Sequence, residues 1–144
     1  MENNNYTVSI LVDQSPEEVF TAISNVRGWW TGDIEGITDK LGAEFTYKYE
    51  DAHRSTHKIT EFIPGRRIVW HTTDSHLSFV NNKSEWTGTD IIFEIERSGE
   101  QTELRFIHRG LVPAIQCYGD CVGAWGFYIQ ESLRNLITTG QATP

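Results

Sequence analysis

The sequence contains no apolar run longer than a few residues, so no segment reads as a membrane-spanning helix. Cysteine is nearly absent, with two in 144 residues. A chain of this length buries roughly 70% of its unfolded surface, so neither a disulfide nor a metal is needed for folding. Positive charge is scarce: 12 Lys and Arg stand against 20 Asp and Glu, for a net charge of −8. No Lys or Arg run forms a basic stripe, which argues against nucleic acid and against an anionic membrane surface as partners. The opening stretch, MENNNYTVSILVDQ, lacks the basic and apolar regions of a secretory signal. With the two cysteines, this points to a reducing, cytoplasmic setting. There is no G-x-S-x-G, no H-E-x-x-H and no phosphate-binding loop. Repeats, low-complexity stretches and linkers are also missing, so residues 1–144 are expected to form one domain.

Aromatic side chains are what the sequence does have, with five Trp, five Tyr and seven Phe. They fall on a clear succession of patterns. Tyr6 to Val12 alternates as a first strand. Ser15, Pro16 and Glu18 then form a capping box with Pro at the first helical position. Val19, Phe20 and Ile23 give that helix one apolar face. Asn25 and Gly28 end or bend it, Val26 and Trp29 suggest a second short helix, and Gly32 begins a loop. AEFTYKYE alternates, with Phe45, Tyr47 and Tyr49 on one face. STHKITEFIPG and RRIVWHTT form a hairpin across Pro64-Gly65. DSHLSFVNNKSEW reads as a strand end and a loop. A second hairpin turns at Ser98-Gly99-Glu100. It sets Thr89, Ile91, Phe93 and Ile95 on the same face as Thr102, Leu104, Phe106 and His108. The period then changes from two to 3.6, which predicts a long helix from Ala114 to Thr138, stopped by Gly140. The fold class is α+β: a curved antiparallel sheet wrapped around a long C-terminal helix.

Several motifs carry a resemblance to a known family. They are SPEEVFTAIS, the WW pair, ITEFIPGRRIVW, WTGTDIIFEI, TELRFIHRGL and WGFYIQESLRNLITTG. In this order they resemble the START/Bet v 1-like (SRPBCC) superfamily. Within it, the chain is similar to stand-alone bacterial relatives of the C-terminal domain of the Hsp90 ATPase activator. The resemblance implies a helix-grip fold. It also implies three alternative functions: binding of a small hydrophobic or amphipathic molecule, contact with a chaperone, or a cyclase- or hydrolase-like activity.

The residues themselves favour the first. Such a sheet and helix leave a concave, mostly apolar space, where small ligands bind. The expected lining is Trp29, Trp30, Tyr47, Trp70, Phe93, Phe106, His108, Tyr118, Cys121, Trp125 and Tyr128. Trp29 or Trp30 is expected at an entrance. His108, Tyr118 and Tyr47 would orient the ligand, although a simple buried, hydrogen-bonded histidine also accounts for His108. His53, His57, His71 and His76 read as surface or loop residues. Glu94 reads as solvated. Glu61 shares a face with Ile59, and a salt bridge to Arg66 or Arg67 is its plainest role. No catalytic residue, cofactor or metal is assigned.

Cys117 and Cys121 are four apart. On a helix that spacing holds the Cβ atoms too far apart for a disulfide, so both read as small apolar groups facing the sheet. Gly119, Gly123 and Gly126 share that helix, at a cost of roughly 1 kcal/mol each relative to Ala. A kink, a close backbone approach or room beside the helix would explain them.

Overall fold

The structure, a computed structural model, describes residues 6–30, 32–49, 53–77, 86–111 and 118–140. Its elements are β1 (Tyr6–Val12), α1 (Pro16–Ser24), a 3-10 turn (Val26–Gly28), β2 (Asp33–Gly36), β3 (Glu44–Tyr49), β4 (His53–Ile63) and β5 (Arg67–Leu77). After these come β6 (Asp90–Ser98), β7 (Gln101–Arg109), α2 (Tyr118–Phe127), a π-helical segment (Tyr128–Leu133) and α3 (Arg134–Thr139). The seven strands form one antiparallel sheet in the order β1-β7-β6-β5-β4-β3-β2. Only β1 departs from a simple meander, pairing with β7 from Tyr6↔His108 to Val12↔Thr102. This is the helix-grip fold. No described helix is long and apolar enough to cross a membrane.

Local chemistry sets the element ends. Ser15 Oγ accepts from the Glu18 backbone N–H at 3.1 Å, and Glu18 Oε1 accepts from the Ser15 N–H at 2.9 Å. This reciprocal box satisfies two donors that the first turn of α1 would otherwise leave open. Val19, Phe20 and Ile23 then face the core. At the other end of the chain Gly140 takes φ +88°, the left-handed conformation that ends a helix.

The sequence reading misses two features of the sheet. The stretch after Gly32 is not all loop, because β2 pairs with β3 from Asp33↔Lys48 to Gly36↔Phe45. Gly36 makes the pairing possible. It sits at φ +110°, and a Cβ there would lie 2.5 Å from the Glu44 carbonyl oxygen. The second feature is a register shift in the β4–β5 ladder between Ile59 and Glu61. One extra residue reverses the side-chain alternation. Ile59 therefore stays buried, while Glu61 turns to the outer face and accepts from Arg67 Nε at 2.9 Å. Arg67 also pairs with Glu94 on that face.

The C-terminal helix buries Cys121, Trp125, Ile129, Leu133 and Ile137, each four residues after the last. At 3.6 residues per turn, every such step overshoots the buried face by about 40°. The π-helical segment corrects this, because its i→i+5 turns hold more residues than α turns. Ser132 lies within it and donates to the Trp29 carbonyl at 2.7 Å, which ties the segment to the turn after α1. Residues 114–117 of the expected helix lie outside the described residues.

The glycines of α2 are not explained by packing against the sheet. Gly119 and Gly123 are exposed, and a Cβ on either would meet nothing within 4 Å. The room beside the helix is solvent. Replacing Gly123 by Ala is expected to stabilise the protein by roughly 0.5–1 kcal/mol, through helix propensity and a less flexible unfolded chain. A thermal melt checks this: the midpoint should rise by a few degrees (roughly 2–4 °C at this size). A fall would mean that Gly123 has a packing role.

Candidate functional site

Between the sheet and the C-terminal helix lies a continuous aromatic assembly. Trp30 stacks on Tyr47 with centroids 3.8 Å apart and planes at 9°. On its other sides it meets Trp29, Trp70 and Trp125 at 6.1, 6.0 and 5.2 Å. Trp125 in turn stacks on Trp86 at 5.7 Å. Phe93 and Phe106 close the assembly edge-on, against Trp70 and against each other.

Trp29 and Trp30 are 1% and 3% exposed. They therefore sit at the centre of the assembly and not at an entrance. The 3-10 turn explains why, since the N–H groups of both tryptophans bond back to the Val26 carbonyl and fold the pair inward. Tyr128 is half-buried and meets Trp30 edge-on at 6.5 Å. Tyr47 has its phenol held well above its ordinary pKa, first by burial and then by Tyr128. The Tyr118 side chain and Cys117 lie outside the described residues.

Cys121 is buried beside this assembly, and it is disulfide-bonded. This corrects the reading of both cysteines as reduced apolar groups. The chain has only one other cysteine, Cys117. The spacing argument placed both on one helix; Cys117 lies outside the described residues.

The polar groups inside the assembly include histidines, the Ser and Thr hydroxyls that bind them, and Tyr47. His108 on β7 has both ring nitrogens engaged. Trp125 Nε1 donates to His108 Nδ1 at 3.0 Å. Thr89 Oγ1 donates to the Trp86 carbonyl at 2.6 Å, so it accepts from His108 Nε2 at 2.9 Å. This fixes the tautomer: neutral, with the proton on Nε2. His108 thus joins helix to sheet and has no free nitrogen for a ligand.

His57 and His53 overturn their reading as surface or loop residues. His57 is fully buried, and His53 is partly buried. The signal was present in β4, where His53, Ser55, His57 and Ile59 alternate with Arg54 and Lys58. Ser55 Oγ lies 2.9 Å from His53 Nε2 and 2.8 Å from His57 Nε2. His57 Nδ1 lies 3.0 Å from Thr72 Oγ1. The four residues form one hydrogen-bonded chain.

All three histidines are held neutral. Burial lowers His53 to about 4 and His108 to about 3, and the nearby charge of His53 adds to the effect on His108. His57 is pushed well below its usual value by burial, then by His53 and His108. His71 and His76 do lie outside the site: His76 is exposed, and His71 binds Asp90 at 2.7 Å. Among the described residues, no group of three or more His, Cys, Asp or Glu could hold a metal.

Trp86 belongs to the site although the sequence reading placed it in a loop. It is buried, with its ring 4.6 Å from His53 and 4.8 Å from His108. Among the described residues its indole Nε1 has no acceptor, and neither does Nε1 of Trp70. By contrast, Trp29 Nε1 donates to the Ile23 carbonyl and Trp125 Nε1 to His108.

The depressed histidine pKa values have a direct consequence for stability. The unfolded chain takes up protons below about pH 6.5, while the folded interior resists them to much lower pH. Stability from the neutral histidines is therefore full above pH 6.5 and is lost as pH falls. Urea midpoints are expected to drop between pH 6.5 and 5. In His57→Gln the slope should flatten by roughly 1 kcal/mol per pH unit. An unchanged slope would mean that His57 titrates normally.

Comparisons with known proteins agree with this architecture. The chain matches the family described as Activator of Hsp90 ATPase homolog 1-like protein over residues 13–138. Among curated proteins none matches. The solution structure of the Aha1 dimer from Colwellia psychrerythraea is 25% identical, with a TM-score of 0.74, over 99% of this chain and 100% of that one. Protein MLL2253 from Mesorhizobium loti is 15% identical, with a TM-score of 0.71, over 92% and 96% of the two chains. CalU16 from Micromonospora echinospora, also at 15%, has a TM-score of 0.68 over 97% and 77%. The last two show the fold alone. The match over most of the chain, on this sheet and this C-terminal helix, makes the protein a member of the Activator of Hsp90 ATPase homolog 1-like family.

Proposed function

We propose that the protein binds a small apolar or amphipathic molecule between the sheet and the C-terminal helix. The observation that carries this reading is the pair of buried indole N–H groups, on Trp70 and Trp86, that have no acceptor among the described residues. An unpaired buried donor costs about 1–3 kcal/mol, and native interiors rarely contain one without a water or a ligand to receive it. Both rings lie close to His57, at 5.8 and 6.5 Å. The surrounding aromatic faces supply apolar contact, worth roughly 25 cal/mol per Å² removed from water. A site of this kind holds a flat apolar body and gives it a few directional polar contacts.

The ligand-lining set is then Trp30, Tyr47, Trp70, Trp86, Trp125 and His53. Trp29, Phe93, Phe106 and Cys121 support it from behind, Tyr128 borders it, and Tyr118 completes the expected lining. His108 serves as a positioning residue, because its two nitrogens hold Trp125 and Thr89.

Native mass spectrometry and tryptophan fluorescence with a panel of fatty acids, sterols and flat aromatic molecules test the proposal. At least one class should give a 1:1 complex and change the tryptophan emission, with a dissociation constant in the micromolar range or below. Trp86→Phe should weaken that complex by about tenfold, the equivalent of one lost hydrogen bond. A panel that leaves both the mass and the emission unchanged would overturn the proposal.

A further inference from the structure

The polar groups of the interior differ sharply in how fully they are used. His108 and His57 each have both ring nitrogens bonded within the protein. His53 has only Nε2 engaged, on Ser55, which leaves Nδ1 free among the described residues. The ring of Trp86 stands edge-on to His53 at 4.6 Å, and its Nε1 is also free. Trp86 is 4% exposed, so this donor is sealed from bulk water. The two rings are thus neighbours, and among the described residues neither His53 Nδ1 nor Trp86 Nε1 has a protein partner.

The charge of the interior narrows what could use them. No Lys, Arg, Asp or Glu is buried among the described residues. A carboxylate or an ammonium taken into the assembly would meet no counter-charge, and an isolated buried charge is strongly disfavoured.

The hydrogen-bonded chain on β4 narrows it further. Ser55 has one hydroxyl proton and stands between two histidine Nε2 atoms. It therefore donates to one and accepts from the other. If it donates to His53, the His53 proton is on Nδ1. His57 then carries its proton on Nε2 and accepts from Thr72. If Ser55 donates to His57 instead, His53 carries its proton on Nε2 and its Nδ1 becomes an acceptor. His57 then donates from Nδ1 to Thr72. Both arrangements are neutral and fully satisfied. His53 Nδ1 can thus act as a donor or as an acceptor, while Trp86 Nε1 is always a donor.

Resting on the ligand-binding reading above, we propose that His53 and Trp86 recognise an uncharged oxygen head group, either a carbonyl or a hydroxyl, on an aromatic or similarly flat apolar body. A carbonyl oxygen accepts from both. A hydroxyl accepts from Trp86 and donates to His53. The two ligand types select opposite tautomers of His53, and Ser55 transmits that choice to His57.

The test uses matched naphthalene probes on the full chain: naphthalene, 2-acetylnaphthalene, 2-naphthol and 2-naphthoate at pH 7.5. Affinities come from tryptophan fluorescence, and tautomers from ¹⁵N NMR of the histidine rings. The ketone and the naphthol should bind at least fivefold tighter than naphthalene, with naphthoate no tighter than naphthalene. The ketone should move His57 toward the Nε2–H form and the naphthol toward the Nδ1–H form. In Ser55→Ala, His57 should no longer distinguish the two probes. Trp86→Phe should bring both oxygenated probes down to the affinity of naphthalene.

Equal binding of naphthalene and its oxygenated relatives would overturn the head-group inference and leave the ligand-binding reading standing. So would tightest binding of naphthoate, or identical His57 tautomers with ketone and naphthol. If no probe, naphthalene included, disturbs the interior tryptophans, both fall together. The probe series and the tautomers are read on the unmodified protein, so the outcome does not depend on any variant folding.

Discussion

The hydrogen bond from Trp125 Nε1 to His108 Nδ1 is the constraint on which the interior depends. It joins α2 to β7 across the core at 3.0 Å. His108 can accept it only while neutral, and it stays neutral because burial disfavours its charged form, with His53 adding to the effect. Protonation would replace an acceptor by a second donor aimed at the indole. Thr89 in turn depends on the Trp86 carbonyl. One chain of bonds therefore places Trp86, β7 and the helix together. Ser132 makes a similar link at the other end of the helix, through the Trp29 carbonyl. Between these two anchors the π-helical segment keeps one apolar face on the sheet.

Much of the fold was legible because its signals are local. The capping box before α1, the alternation of β6 and β7 and the glycine that stops α3 each act within a few residues. Their physical causes therefore appear directly as sequence patterns. What escaped notice depends on partners distant in sequence. Strand β2 exists because Gly36 lets its backbone approach Phe45 closely. The bulge near Thr60 exists within a two-strand ladder and cannot be seen in either strand alone. It alone moves Glu61 from the inner to the outer face. The π-helical segment left a faint trace, a run of apolar residues spaced by four, which a 3.6-residue reading absorbs.

The site was legible in its apolar part and misread in its polar part. Aromatic residues on alternating strand positions identify Tyr47, Trp70, Phe93 and Phe106 well, because burial is what such residues do by default. Histidine has no such default. His53 and His57 follow the same alternation as Ile59, but their polarity outweighed their position. Only the tertiary arrangement shows why they can face inward: Ser55 binds both, and Thr72 takes the second ring nitrogen of His57. Cys121 escaped in a related way, since a disulfide depends on where its partner lies in space and the i, i+4 spacing argues against one. Trp86 was set aside with a polar loop because its neighbours in sequence are polar, whereas its neighbours in space are His53, His108 and Trp125.

An interior of neutral histidines and unpaired indoles is a particular electrostatic choice. A salt bridge could have supplied the same hydrogen bonds, but it would require full desolvation of two charges. A purely apolar core would avoid any unpaired donor. This chain keeps polar atoms inside while keeping formal charge out, and it places its ion pairs on the outer face instead, among Arg67, Glu61, Glu94 and Arg105. Such an interior gains little from a molecule that brings charge. In the proposed ligand site, the two indole donors that lack an acceptor among the described residues would gain from a molecule that brings an oxygen acceptor. The discrimination then comes from hydrogen bonding at low dielectric, where an unmet donor costs more than it does in water.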